Sequence, residues 1–190
     1  MKVWGLIVIL MIVVSVFGGL INTTSATSEK TTISVTDSSP WFTKGSNSGH
    51  PEYWHSYTYG GHTFIWTYVG GMPGNPSQPD CWAEFRPYLS QAGEYDVYAC
   101  FYADPTQSTQ VPYTIYYQGG STTVRVNQYS SSWWIWKEVK LGTWNFLPGA
   151  NTYVKVTDAT GEPYDGSITL NVDTIICEER GGSHAGNHRY

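Results

Sequence analysis

The stretch Glu94-Tyr95-Asp96-Val97-Tyr98-Ala99-Cys100-Phe101-Tyr102 decides the fold class. Side chains alternate across a β-strand, so Tyr95, Val97, Ala99 and Phe101 share one face and Asp96, Tyr98, Cys100 and Tyr102 the other. The first set is the better core face. Similar short runs follow through the chain: Thr31–Val35, His62–Val69, Trp82–Pro87, Pro112–Tyr117, Thr122–Asn127, Trp133–Val139, Gly142–Phe146, Thr152–Thr157 and Ser167–Glu178. Between them lie turn signals such as Gly60-Gly61, Gly70-Gly71, Pro73-Gly74-Asn75-Pro76, Gly119-Gly120 and Asp165-Gly166. No stretch beyond the N-terminal leader sustains a helical period. Many short strands, enriched in aromatic and β-branched residues, predict an all-β antiparallel sandwich or barrel.

The 190 residues suit one domain. Charged residues make up 13% and aromatic residues 16%, the reverse of a disordered chain. The net charge of −5 argues against nucleic acid as a partner. Met1-Lys2, the apolar run Val3–Ile21 and the small residues Thr24-Ser25-Ala26 describe a secretory signal peptide. The run is also long enough to span a bilayer as an uncleaved anchor. Either reading places the rest outside the membrane, secreted or tethered at the cell surface. The expected organisation is a leader over 1–26, a linker over 27–32, one β-sandwich domain over 33–178 and a flexible polar tail over 179–190. Asn22-Thr23-Thr24 is a glycosylation sequon within or beside the leader, where chance explains it. Cys81, Cys100 and Cys177 form no CxxC pair and read as small buried residues, with one disulfide open to them. Parity places Cys177 on a core face and Cys100 opposite, which disfavours a bridge between those two.

A second stretch, Ser130-Ser131-Ser132-Trp133-Trp134-Ile135-Trp136-Lys137-Glu138, is apolar on both faces if it is a strand. One apolar face fits a core; the other needs a covering layer, a ligand or a partner chain. In His50–Tyr59, alternation puts Tyr53, His55, Tyr57 and Tyr59 on one face and Trp54 on the other. Beyond the leader, a domain with eight tryptophans and fifteen tyrosines would struggle to bury them all in one sandwich.

Several segments together resemble a known module. They are Ala83-x-Phe85-x-Pro87-x-Leu89-x-x-Ala92-Gly93-x-Tyr95-x-Val97-Tyr98; Tyr113 to Tyr117 with Gly119-Gly120-x-Thr122-Thr123-Val124-x-Val126-Asn127-Gln128; Leu141-Gly142-Thr143-x-x-Phe146-x-x-Gly149; and Val154-x-Val156 with Asp173-Thr174-Ile175. The resemblance is to the golvesin C-terminal-like family, also called the xanthan-lyase carbohydrate-binding-like domain, and runs from about Ile33 to Glu178. It implies a galactose-binding-like jelly roll and a role in carbohydrate or surface attachment. The family pattern has a Trp near the place of Glu138, and Trp136 keeps its parity. The resemblance therefore implies that Trp136 is core and leaves Trp133 and Trp134 unassigned.

No nucleophile with a placed base and no paired-acid motif marks a catalytic site. His50, His55 and His62 match no zinc spacing and read as polar loop residues, and His184 and His188 sit in the tail. Asp37, Asp158, Asp165 and Asp173 are candidate calcium ligands without a D-x-D-x-D loop; the preferred reading of Asp173 is a turn cap. No cofactor or metal is expected. The sequence points to an exported, non-catalytic carbohydrate-binding or surface-attachment module. Its partner would be a polysaccharide or cell-surface glycan, held by Tyr53, Trp54, Tyr57, Trp66, Trp133 and Trp134. The alternative is a structural subunit of a filament, sheath or surface layer, bound to copies of itself through the same rings.

Overall fold

The computed structural model describes residues 30–34, 39–149 and 151–180. The leader, Asn22, Asp37, His184 and His188 lie outside the described residues. The chain forms β1 (Lys30–Ser34), β2 (Phe42–Ser46), β3 (His55–Tyr59), β4 (His62–Tyr68), β5 (Cys81–Phe85), β6 (Gly93–Ala103), β7 (Val111–Tyr117), β8 (Gly120–Val126), β9 (Ile135–Phe146), β10 (Tyr153–Thr157), β11 (Thr169–Val172) and β12 (Thr174–Glu179). A single 3-10 turn, Pro51–Tyr53, precedes β3. There is no α-helix among the described residues. β1 begins at Lys30, inside the stretch read as linker, and β12 carries Glu179 from the stretch read as tail.

Two antiparallel sheets face each other, one ordered β1-β12-β6-β9 and the other β2-β5-β10-β7-β8. Tyr95, Val97, Ala99 and Phe101 are fully buried, as the alternation of β6 requires. Ile175 and Cys177 stand opposite Ala99 and Val97 and extend the same apolar layer. In the facing sheet, Phe42, Phe85, Val154 and Ile115 lie in one cross-strand row, and Ala83, Val156, Tyr113 and Val124 in the next. Each row puts apolar groups at the ~5 Å spacing of paired strands, so the two inner faces close over a continuous core.

A third sheet, β11-β4-β3, is joined to the sandwich through β11, which runs into β12 across Asp173. Beyond the β6–β12 ladder, the Asn171 side chain takes the place of a backbone partner. The Tyr102 N–H donates to Asn171 Oδ1 at 3.0 Å, and Asn171 Nδ2 donates to the Tyr102 carbonyl at 2.6 Å. Gln128 repeats the device one step inward. Its Nε2 donates to the Asn171 carbonyl at 2.8 Å and to the Tyr113 hydroxyl at 3.0 Å, while its Oε1 accepts the Asn171 N–H at 3.1 Å. Two buried amides thus tie the third sheet to both halves of the sandwich.

The three cysteines are buried, and no disulfide links them. Burial pushes the Cys81 and Cys177 thiols up to about 12, which leaves them as unreactive core groups.

Asn171→Ala is expected to destabilise the domain by about 2–4 kcal/mol, because it strands a buried N–H and a buried C=O of Tyr102. Urea unfolding measures this; an alanine variant as stable as the parent would show that the amide is not structural.

Candidate functional site

The hairpin β3–β4 carries the candidate site. Tyr59 and His62 are directly paired, so Gly60-Gly61 is a two-residue loop, and its φ values of +59° and +84° are those of a turn that suits glycine at both positions. The ladder then sets the faces. His55 pairs with Trp66, Tyr57 with Phe64 and Tyr59 with His62, so all six side chains stand on the outer face, while Ile65 and Thr67 turn inward to the core. His55 lies 4.3 Å from Trp66, ring centroid to centroid, and Trp66 meets Tyr68 edge-on at 5.5 Å. From His62 to Tyr68 the strip is roughly 20 Å long at a rise of about 3.3 Å per residue.

The serine-tryptophan segment is bound against this strip. Trp134 has a φ of +57°, which for a bulky residue costs about 1–3 kcal/mol. Its ring stacks on Tyr57 at 5.6 Å and on Tyr59 at 5.2 Å, and it covers buried Phe64 at 5.8 Å. Those contacts hold the strained backbone. Trp136, the second residue of β9, pairs with Tyr102, packs on that ring at 5.1 Å and lies 4.3 Å from His62. The Tyr102 hydroxyl donates to the Tyr59 carbonyl at 3.3 Å, and burial raises this phenol above its ordinary range. His62 Nδ1 is 3.2 Å from Asp173 Oδ2, a buried oxygen otherwise without a hydrogen-bond partner among the described residues. Burial raises the Asp173 carboxyl, while Thr174 and His62 pull it back.

At its Tyr68 end the strip runs into a cleft of about 870 Å³, lined by Tyr53, His55, Tyr68, Tyr164, Asp80 and Asp158 among others. Gly70 shapes its wall: a Cβ there would lie 2.5 Å from the Tyr164 Cβ, so only glycine lets the two loops approach. Asp80 accepts Ser46 Oγ and Ser48 N, both at 2.8 Å, and Ser48 Oγ at 2.9 Å. Burial acts to raise Asp80, but these bonds outweigh it and hold the carboxyl below its ordinary range. Asp158 Oδ1 accepts the Asp80 N–H at 2.9 Å, and burial pushes this carboxyl up to about 6.

The structure places the sequence-derived residues unequally. Tyr57 (48% exposed) and Trp133 (59%) present rings to solvent, Trp66 and Trp134 are half-buried within the strip, and Tyr53 lines the cleft stacked on His50. Trp54 is corrected: it is 5% exposed, its indole N–H donates to the Gly45 carbonyl at 3.1 Å, and its ring belongs to the core. Trp136 is also corrected. It is 37% exposed on the outer face, because a bulge opposite Val97/Tyr98 reverses the parity of β9. His55 and His62, expected in loops, open strands β3 and β4. Asp158, Asp165 and Asp173 do not converge. Asp165 instead accepts the N–H and hydroxyl of Ser167, and the described residues hold no group of three or more His, Cys, Asp or Glu placed for a metal. Sequence reasoning missed Tyr59, Phe64, Tyr68, Tyr102 and Tyr164. The first three were signalled by matched alternation on either side of Gly60-Gly61.

The chain belongs to the golvesin C-terminal domain family, whose model matches residues 25–169. Its fold is similar to part of the Paenibacillus xanthan lyase structure, with a TM-score of 0.59 and 24% identity over 80% of this chain; the match spans 13% of the lyase. It is similar also to the C-terminal CBM6 of LamC, a marine laminarinase from Zobellia galactanivorans, with a TM-score of 0.50 and 12% identity over 80% of this chain and 100% of that one. No curated protein matches the chain in sequence at a significant level. The fold is therefore a β-sandwich of the jelly-roll kind found in carbohydrate-binding modules.

Asp158 makes a pH prediction. Its folded pKa is raised, so its stabilising contribution is complete below about 4 and is lost as pH rises through about 6. Asp158→Asn keeps an acceptor for the Asp80 N–H and removes the titration. The variant should gain on the parent by a few kcal/mol between pH 4 and pH 7. Denaturation at both pH values checks this; a difference that stays constant would contradict the assignment.

Proposed function

We propose that the chain is an exported, non-catalytic carbohydrate-binding domain that holds a polysaccharide or cell-surface glycan on the outer face of the β11-β4-β3 sheet. The observation that carries this reading is the co-facial array of Tyr57, Tyr59, Trp66 and Trp136, held in fixed geometry by strand register and by Trp134. Sugar rings have flat C–H faces edged by hydroxyls. Rigid tyrosine and tryptophan rings match those faces at little entropic cost, and their own O–H and N–H groups reach the edges. The strip is longer than one sugar ring, which suits a polymer. Family membership and the fold shared with a carbohydrate-binding module support the same reading.

His62 Nδ1 faces Asp173, and its ring lies tilted against Trp136 at 4.3 Å, which orients the imidazole as part of the surface.

Affinity electrophoresis through gels containing laminarin, xylan, galactan, mannan or xanthan tests the proposal. At least one polysaccharide should retard the protein. Trp136→Ala and Tyr57→Ala should each weaken retention roughly tenfold, the equivalent of about 1.4 kcal/mol per stacked ring, while leaving the melting transition cooperative. Free migration in every gel, or retention unchanged in both variants, would refute it.

A further inference from the structure

The strip of rings and the cleft at its Tyr68 end differ in shape, and the difference has a chemical meaning. A strip of flat rings fits the length of a chain; a cleft of about 870 Å³ has the size of pockets that enclose one small molecule. The cleft walls are aromatic. Tyr68 and Tyr164 meet edge-on at 5.8 Å on one side, and Tyr53 stacks on His50 at 5.0 Å on the other. Its floor is polar: the buried carboxylates of Asp80 and Asp158 lie there with the hydroxyls of Ser48 and Thr67, and Asp80 keeps lone-pair capacity beyond the three bonds it accepts from Ser46 and Ser48. A sugar complements this arrangement, with hydroxyls for the polar floor and C–H faces for the aromatic walls. No lysine or arginine lines the cleft, and of its two histidines His50 already faces Glu52 at 2.8 Å. His55 and Tyr68 belong to both strip and cleft, which makes the two a continuous path.

We propose that the cleft is a second subsite that captures a neutral sugar residue at the end of a glycan chain whose body lies across the rings of β3 and β4. This rests on the reading of the sheet face as a glycan-binding surface and extends it to the class of sugar and to the chain end. The carboxylate floor selects against uronic acids and other anionic sugars by charge repulsion in a partly desolvated site. Tyr164 is the wall residue most open to solvent, at 68% exposure, and is the natural clamp on the sugar.

The test uses the full chain and free monosaccharides: glucose, galactose, mannose and xylose, with glucuronate as the anionic control. Binding is followed by saturation-transfer NMR and by inhibition of polysaccharide retention. At least one neutral monosaccharide should bind and glucuronate should not. Tyr164→Ala should weaken monosaccharide binding at least about tenfold, and Tyr88→Ala, an exposed tyrosine outside both strip and cleft, should leave it unchanged. Asp158→Asn, which keeps a side-chain oxygen acceptor, should let glucuronate compete better than it does with the parent. Polysaccharide retention without any monosaccharide binding would overturn the subsite and leave the sheet face standing. Tighter binding of glucuronate than of every neutral sugar, or a Tyr164→Ala variant that binds as the parent does, would also overturn it. Absence of both polysaccharide and monosaccharide binding would bring down the two readings together.

Discussion

The substitution of side-chain amides for backbone partners at Asn171 and Gln128 is the constraint on which the outer sheet depends. Asn171 completes the hydrogen bonds of Tyr102, and Gln128 completes those of Asn171 while anchoring to Tyr113 in the opposite sheet. Buried amide groups left unpaired cost more than paired ones return, so this arrangement is nearly all-or-none. It fixes β11, β11 fixes the register of β4, and β4 fixes β3 through Gly60-Gly61. The order of the rings on the surface is thus set by a polar chain in the interior. Trp134 closes the arrangement from outside, where stacking on Tyr57 and Tyr59 offsets a left-handed backbone.

The two outer faces of the domain handle their aromatic residues differently. On the five-stranded sheet, Arg86 lies 4.2 Å over Tyr153, Tyr153 stacks on Tyr116 at 4.1 Å, and Lys155 sits 5.1 Å over Trp82. Glu84 pairs with both cations, at 2.5 Å and 3.3 Å. These rings already have partners, and a ligand would have to displace cations to reach them. On the three-stranded sheet the charges are sparse. The Asp173 carboxylate is buried under His62, and Glu138 stands on the same face of β9 as Trp136. A neutral ligand meets no desolvated opposing charge there and loses none of the protein's own ion pairs.

Much of the fold was legible because a two-sheet core demands an apolar group at every second position. β6 displays this without interruption, and Gly-rich turns delimit its neighbours. β2 was not legible, since its edge strand Phe42–Ser46 buries a single apolar side chain, Phe42. The aromatic candidates were legible as a class but not as a surface. Trp54 was separated from Tyr53 and Tyr57 by alternation, yet composition alone left it among the binding residues. Trp136 was assigned to the core through the parity it shares with Glu138, but the bulge before Gly142 puts that parity on the outer side, so that Val139 turns inward and Trp136 outward. The tertiary contacts that gather Tyr102, Trp134 and His62 join segments distant in sequence, and no local pattern encodes them.

The arrangement of rings and charges places a glycan on the hairpin face and not on the five-stranded sheet in the proposed reading. Fluorine NMR of protein labelled with 5-fluorotryptophan, titrated with a neutral polysaccharide that retards it, tests this most directly. A glycan on the hairpin face shifts Trp66, Trp133 and Trp136 and leaves Trp54, Trp82 and Trp144 unmoved. Shifts at Trp82 with Trp66 and Trp136 unmoved would place the ligand on the five-stranded sheet and rule out the hairpin face.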